Sequence, residues 1–304
     1  MKRVAIVIVT YNSASEINAC LDSLAALRDV EIIVVDNNSA DDTCTRLAAY
    51  KIQLIRNPTN IGFAAAVNQG VRATTAEFVL LLNPDAQLLH GLDALIERCS
   101  APGTGAAGGL LVGPDGLPQV GFMARNLPSA MTLSFEVLGI NRLLPNNSVN
   151  WHYRCKGLDP MTATIVEQPA GAFLMFPRRV WERLGGFDDR FRPLWFEDVD
   201  FCARLKSSGL KVYYEPAAVA KHEGSHSIPS LSLESREKYW YGNLLEYSAR
   251  HYRAVEFKAI CVAVVIGSIL RAVKGFPRGG VKALEVYGYV VRLAARRFLL
   301  RRQG

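Results

Sequence analysis

Glu197, Asp198 and Asp200 follow directly on Trp195 and Phe196 in the stretch RPLWFEDVDFCARLKSSG, residues 192–209. Acids favour the first turn of a helix, where the macrodipole stabilises negative charge. That accounts for acids in general and serves for Asp200. It leaves open why two large aromatics should stand before an adjacent carboxylate pair. Paired carboxylates are equipment for general acid–base chemistry, and the rest of the chain has to say which.

A second group of polar residues interrupts apolar runs. In LLNPDAQL, Asp85 follows a run of strand character, and Pro84 ends the ladder by removing a donor. An Asn-Pro-Asp turn is common in its own right. Asp36, however, holds the same position after EIIVVD, and Thr10-Tyr11-Asn12 follows VAIVIVT in the same way. Asn60-Ile61-Gly62-Phe63 precedes a helix carrying Asn68 and Gly70. The glycine lets backbone approach a ligand, and a helix N-terminus attracts an anion. Two histidines, His222 and His226, lie in KHEGSHS. A carboxylate pair alone would suit glycoside hydrolysis, but that scheme leaves Asp36 and Asp85 without roles.

These residues need elements to hold them. The runs at 4–10, 31–36, 52–57 and 77–83 have strand length and β-branched content, and helical stretches fall near 15–27, 40–50, 61–73 and 91–99. Fully apolar strands alternating with helices predict an α/β fold with a mostly parallel sheet covered on both faces. Ligands of such sheets bind beyond the carboxyl ends of the strands, where Thr10, Asp36 and Asp85 fall. No strand is followed by GxGxxG or GxxxxGK[ST], which argues against a dehydrogenase or an ATPase. Residues 103–160, rich in Gly, Pro and Asn, read as loops. A further apolar run spans 166–176, a helix 178–184 and a strand 211–215, and from about 232 the pattern is helical.

Composition bounds the rest. With 304 residues, half of them hydrophobic, the chain can bury a large core. Six scattered cysteines without a CxxC pair read as reduced, cytosolic and structural. The N-terminal apolar run, about seven residues with no small-residue cleavage site after it, reads as a strand rather than a signal peptide. Residues 251–304 carry eleven Lys and Arg against two Glu, so the net +7 of the chain becomes −2 over residues 1–250. That body offers no continuous basic footprint for nucleic acid.

The strings IVIVTYNS, VVDNNSADDT, NPTNIGFAAAVNQG, LLNPDA, GAFLMF, GGFDDRF and FEDVDFCARLKSSG occur in this order over roughly residues 3–227. Together they resemble family 2 glycosyltransferases, and most closely their bacterial rhamnosyltransferase-like branch. The resemblance implies a GT-A fold, with a nucleotide-sugar-binding half over 1–100 and an acceptor-binding half over 101–230. It implies inverting transfer of a sugar, best read as L-rhamnose from dTDP-rhamnose, to a saccharide or lipid-linked acceptor in cell-envelope polysaccharide synthesis. Thr10, Tyr11 and Asp36 would hold the nucleobase and ribose, with Asn12, Asn38, Asn60, Gly62, Asn68, Asn83 and Asp85 completing the donor site. Asn83-Pro84-Asp85 stands where the family places its DxD triplet, with Asn83 replacing the first acid. Asp85 would then be the ligand of Mg²⁺ or Mn²⁺, joined by His222 or, four residues on, His226. Asp198 occupies the position of the catalytic base, Glu197 would orient it or position the acceptor, and Trp195 and Phe196 would stack on the acceptor sugar.

Residues 231–304 are expected to form a helical, basic segment that attaches the enzyme peripherally to the cytoplasmic, inner face of the plasma membrane. Its apolar run AICVAVVIGSIL, residues 259–270, is shorter than the roughly 20 residues that span hydrocarbon, and basic residues follow at once. A sugar nucleotidyltransferase on a related core would need a glycine-rich, basic loop after strand one, and TYNSASEIN has neither glycine nor base. A non-catalytic carbohydrate-binding module on the same fold would have no use for Asp36, Asp85 and Asp198 together.

Overall fold

The computed structural model describes residues 3–224 and 231–300, without the side chains of 278 and 279. His226 lies outside the described residues. The chain forms two compact units: Met1–Asn126 with Arg154–Pro229, and Leu127–Tyr153 with Ser230–Gly304.

The first unit opens with β1 (Val4–Thr10), α1 (Ile17–Leu24), β2 (Val30–Asp36), α2 (Thr43–Leu47), β3 (Gln53–Arg56), α3 (Phe63–Arg72) and β4 (Phe78–Leu82). Then come β5 (Ala86–His90), α4 (Leu92–Ser100), β6 (Thr104–Val112) and the short β7 (Ala124–Arg125). The second unit takes α5 (Ala130–Leu138), α6 (Ile140–Leu143) and α7 (Ser148–Tyr153). The chain returns to the first unit with β8 (Thr164–Val166), β9 (Gln168–Pro169), β10 (Phe173–Pro177), α8 (Arg178–Leu184), α9 (Glu197–Ser207) and β11 (Lys211–His222). It ends with α10 (Leu233–His251) and α11 (Ala254–Leu300), which is broken at Gly280.

The main sheet runs β3-β2-β1-β4-β10-β6-β11-β5, with β8 also on β11. Six of its nine strands point the same way; β5, β8 and β10 run against them. Every residue of β1 and β4 is buried, as strands covered on both faces require. Gly70 lets α3 close on β1, since a Cβ there would come within 2.6 Å of Val7 Cγ1.

Four expectations are corrected. Residues 104–112 are not loop but the nine-residue, almost wholly buried strand TGAAGGLLV. Its small residues answer to close packing: a Cβ at Gly108 or Gly109 would strike Pro169 or Phe173. Residues 127–153, expected as loop, carry the helices α5, α6 and α7 of the second unit. The run 166–176 divides into β8, β9 and β10. The strand at 211–215 continues to His222, shifting register between Glu215 and Val219 to pass Pro216.

In the second unit, α5, α10 and α11 pack together. The expected twelve-residue limit on the apolar segment does not hold. Helix continues through 254–277, 24 residues that include an 18-residue window of mean hydropathy 1.9, long and apolar enough to cross a membrane by length and composition. A third of that window is buried within the protein (33%).

Candidate functional site

The carboxyl ends of β1, β2, β4 and β11 share one edge of the sheet. Thr10 and Asp36 are register partners there. Both are buried, and Thr10 Oγ1 donates to Asp36 Oδ1 at 3.0 Å, while the Ser39 amide donates to Oδ2 at 3.1 Å. Thr10 therefore faces Asp36 inside the protein; the exposed residues of this corner are Tyr11, Asn12 and Asn38. Asn12 and Asn38 adopt positive φ, 53° and 67°, and Asn12 Oδ1 accepts from the Ala40 amide at 2.8 Å. Short Asx side chains tolerate this backbone region and bond the loop locally.

Asn60 and Gly62 build the next loop. Asn60 Oδ1 accepts from the Gly62 amide at 2.9 Å and from Asn37 Nδ2 at 3.1 Å, and Asn37 Oδ1 accepts from the Ile61 amide and Asn57. Gly62 has φ 90°, which a side chain rarely adopts, and the next amide, Phe63 N, donates to Pro193 O at 2.7 Å. This loop is thereby pinned to the segment that leads into Trp195 and Phe196. Those two aromatics have positive φ, 76° and 73°, and Phe196 is buried as the N-cap of α9.

Asn68 departs from the donor-site expectation. It is buried, and its amide is fully used: Nδ2 donates to Phe187 O and Asp189 Oδ1, and Oδ1 accepts from Trp181 Nε1 and the Phe187 amide, all between 2.7 and 3.0 Å. An amide with two donors and two acceptor sites has nothing left for a ligand. Asn68 is a strut between α3 and the GGFDDRF turn.

Antiparallel pairing of β11 with β5 sets His222 opposite Ala86 and so beside Asp85. His222 Nε2 lies 3.6 Å from Asp85 Oδ1, with both side chains largely buried. Gln119 fixes the ring: its Nε2 donates to the His222 carbonyl at 2.8 Å, so Oε1 must be the atom 3.0 Å from Nδ1. Nδ1 then carries a proton, and Nε2 faces the carboxylate. Phe122 stacks on the imidazole at 5.0 Å. One carboxylate and one imidazole nitrogen are a set that divalent cations accept when the imidazole is neutral, with diphosphate oxygens and water supplying the rest. Among the described residues no group of three or more His, Cys, Asp or Glu gathers to hold a metal by itself. Asn83 binds through backbone, its amide donating to Ala172 O at 3.0 Å. Beside it, burial and then the charge of Asp85 keep the Cys20 thiol protonated, its pKa pushed far up.

That bond to Ala172 brings the second carboxylate group close. Gly171 packs on Asp198: a Cβ there would stand 3.2 Å from Asp198 Cβ. Half-buried Asp198 accepts from Gln168 Nε2 through Oδ2 at 3.0 Å and from the Val199 amide through Oδ1 at 2.8 Å. Glu197, its neighbour, is buried, and its Oε2 meets no hydrogen-bond partner. Burial first, and the Asp198 charge second, hold the Glu197 carboxyl well above its ordinary pKa, which favours its protonated form. Asp200 is buried and paired with Arg204 at 2.7 Å, a helix-start acid with a structural partner. The sequence reading missed Gln119, Gln168, Gly171 and Asn37. Gln119 and Gln168 carry no local signal, while Asn37 sat unread inside a strand-end motif.

A mostly parallel sheet with polar residues at its carboxyl edge, and a carboxylate on the adjoining half, is the layout of the GT-A glycosyltransferase fold. The profile of "Glycosyl transferase family 2" matches residues 5–156, and that of "Glycosyl transferase family group 2" matches residues 149–300. The chain is 31% identical, over 82% of its length and 86% of the relative's, to the N-acetylglucosaminyl-diphospho-decaprenol L-rhamnosyltransferase of Mycobacterium tuberculosis. It is 26% identical to the rhamnosyltransferase WbbL of Escherichia coli, over 78% of the chain and 89% of that protein. The fold is similar to that of the mannosyltransferase PcManGT from Pyrobaculum calidifontis, solved with GDP-Man and Mn²⁺. That likeness has TM-score 0.57 at 17% identity, covering 99% of this chain and 88% of that one. The chain belongs to glycosyltransferase family 2, and it is a glycosyltransferase.

Proposed function

We propose that this enzyme transfers L-rhamnose from dTDP-rhamnose to a hydroxyl of a lipid-linked saccharide, with inversion at the anomeric carbon. The sugar and the lipid-linked acceptor rest on the Mycobacterium tuberculosis relative, whose name specifies both. The chemistry rests on one observation: Asp198, held by Gln168, stands against Gly171, next to the Ala172 carbonyl that binds Asn83 of the Asp85 turn. That proximity supports reading Asp198 as a base beside the diphosphate.

Asp36 and the exposed Tyr11, Asn12 and Asn38 hold nucleobase and ribose, Thr10 fixing Asp36 from beneath. The Asn60–Gly62 loop closes the donor site, and Asn83 and Asp85 border the diphosphate. Asp198 takes the proton from the acceptor hydroxyl as its oxygen attacks the anomeric carbon on the face opposite the leaving group. The bond from that carbon to the diphosphate oxygen breaks, and its electron pair leaves with the nucleoside diphosphate. A positioned base contributes about 10²–10⁴-fold. Glu197, whose raised pKa favours its protonated form, leaves Asp198 as the stronger candidate for the proton. Trp195 and Phe196 shape the acceptor side. Asp85 and His222 would hold Mg²⁺ or Mn²⁺, which when bound neutralises charge on the departing diphosphate.

The attachment to lipid rests on charge. The basic stretch 251–304 would hold the enzyme at the inner, anionic face of the membrane that carries its acceptor. Purified protein given dTDP-rhamnose and a prenyl-diphosphate-linked N-acetylglucosamine should release dTDP and form a glycoside of inverted anomeric configuration by NMR. Release that is unchanged when the acceptor is omitted would defeat the proposal.

A further inference from the structure

We infer that the second unit carries a lipid-facing surface built from two separated parts of the chain, the outer face of α11 and the helical excursion 127–153. The inference rests on the membrane reading above and names what makes contact. Of the 24 large apolar side chains exposed among the described residues, 17 belong to this unit, although it is much the smaller of the two. That concentration is not the scatter of single apolar residues that ordinary surfaces show.

The helix α11 is apolar on two opposite faces. Phe257, Ile260 and Val264 recur at helical spacing and are buried; Val262, Ile266, Ile269 and Val273 recur at the same spacing and are exposed. A helix with one apolar stripe packs on its own protein. A second stripe needs another apolar phase.

The excursion is tied to this helix. Gly267 lies so close to α5 that a Cβ would fall 2.0 Å from the Val137 carbonyl oxygen. Arg271 donates from Nη1 to that carbonyl and from Nη2 to Glu136 O at 3.3 Å, capping the end of α5 with a cation. Just beyond that cap, Leu143 and Leu144 stand 77% and 63% exposed, and Met131 is exposed on α5 itself. Such residues, on a loop and helix locked to the apolar helix, gain nothing from water.

The occupant is an anionic bilayer rather than a second copy. The two segments of this unit carry a net charge of +9, all of it from the C-terminal segment. Two such units repel each other and attract acidic lipid at about 1 kcal/mol per basic residue near the surface. The buried stripe of α11 keeps it packed on its own unit, so it lies along the interface instead of crossing.

The test is co-sedimentation of the full chain with phosphatidylglycerol and with phosphatidylcholine vesicles, comparing wild type, L143E/L144E and I266E/V273E. Wild type should partition to the anionic vesicles, and each double variant should partition about tenfold less, with unchanged melting temperature and dTDP binding. Absence of wild-type partitioning sinks the membrane reading and this surface with it. If wild type binds and L143E/L144E binds equally, the two-part surface alone is wrong. A wild-type dimer that L143E/L144E turns into monomer, by light scattering, would mean that a second copy covers the face.

Discussion

His222 Nε2 faces Asp85 Oδ1 across 3.6 Å at the carboxyl edge of the sheet, and the ring is held in that orientation by Gln119. The distance is too long for a hydrogen bond. The pair reads as a place for a divalent cation that the donor diphosphate completes, and Gln119 as the residue that sets the tautomer.

This gives a graded expectation. Asp85→Ala should abolish metal-dependent binding of dTDP. Gln119→Leu, which keeps volume but removes the Nδ1 acceptor, should weaken Mn²⁺ affinity about 10–100-fold, the usual cost of losing an outer-shell partner. Mn²⁺ titration by electron paramagnetic resonance in the presence of dTDP measures both. Wild-type turnover that survives exhaustive chelation would remove the metal from the scheme.

Asp198→Asn keeps the side chain's size and its place against Gly171 while removing basicity. Turnover should fall by about 10² or more, with dTDP-rhamnose affinity changed little. Single-turnover kinetics with a separate binding measurement distinguishes the two. Retention of more than about a tenth of turnover would exclude Asp198 as the base.

Much of this site could be read along the chain because Asp36 and Asp85 end unbroken apolar runs, and a fully buried parallel strand announces its ligand edge. What could not be read depends on partners distant in sequence. Gln119 meets His222 across 103 residues and Gln168 meets Asp198 across 30, and a glutamine in a loop has no periodicity to betray it. The strand β6 escaped because packing against Pro169 and Phe173 demanded glycine where β-propensity asks for branched residues. Asn68 misled for a related reason. A polar residue on a helix beside a ligand loop looks available until the turn that consumes its amide, more than 100 residues away, is in view.

Asn68 can be tested on that ground. Asn68→Ala would strand the Trp181 indole N–H and both backbone groups of Phe187 in a buried place. At about 1–3 kcal/mol per unsatisfied group, partly relieved by relaxation, the loss should be about 3 kcal/mol. Denaturant unfolding measures it. The folded fraction should bind dTDP-rhamnose with wild-type affinity; a selective loss of affinity at unchanged stability would restore Asn68 to the donor site.

Glu197 gives the pH dependence. Its carboxyl is raised well above its ordinary value, by burial first and by the Asp198 charge second, so the folded protein keeps a proton that the unfolded chain releases. The stability slope with pH follows the protons bound unfolded minus those bound folded. That difference is negative from the unfolded value, about 4.3, up to the raised folded one. Glu197 therefore supports the fold fully below the unfolded value, and its support is lost as pH rises through the folded pKa. Glu197→Gln mimics the protonated form at every pH. Melting temperatures of the two proteins should lie close together in acid, and the variant should become the more stable as pH climbs past the carboxylate range. The variant should also keep most of its turnover, because a neutral Glu197 and a glutamine present the same absence of charge to Asp198. A variant less stable than wild type at pH 8 would mean that Glu197 is ionised in the fold and paired with a cation. A variant of equal stability but lost turnover would return to Glu197 a part in the proton transfer itself.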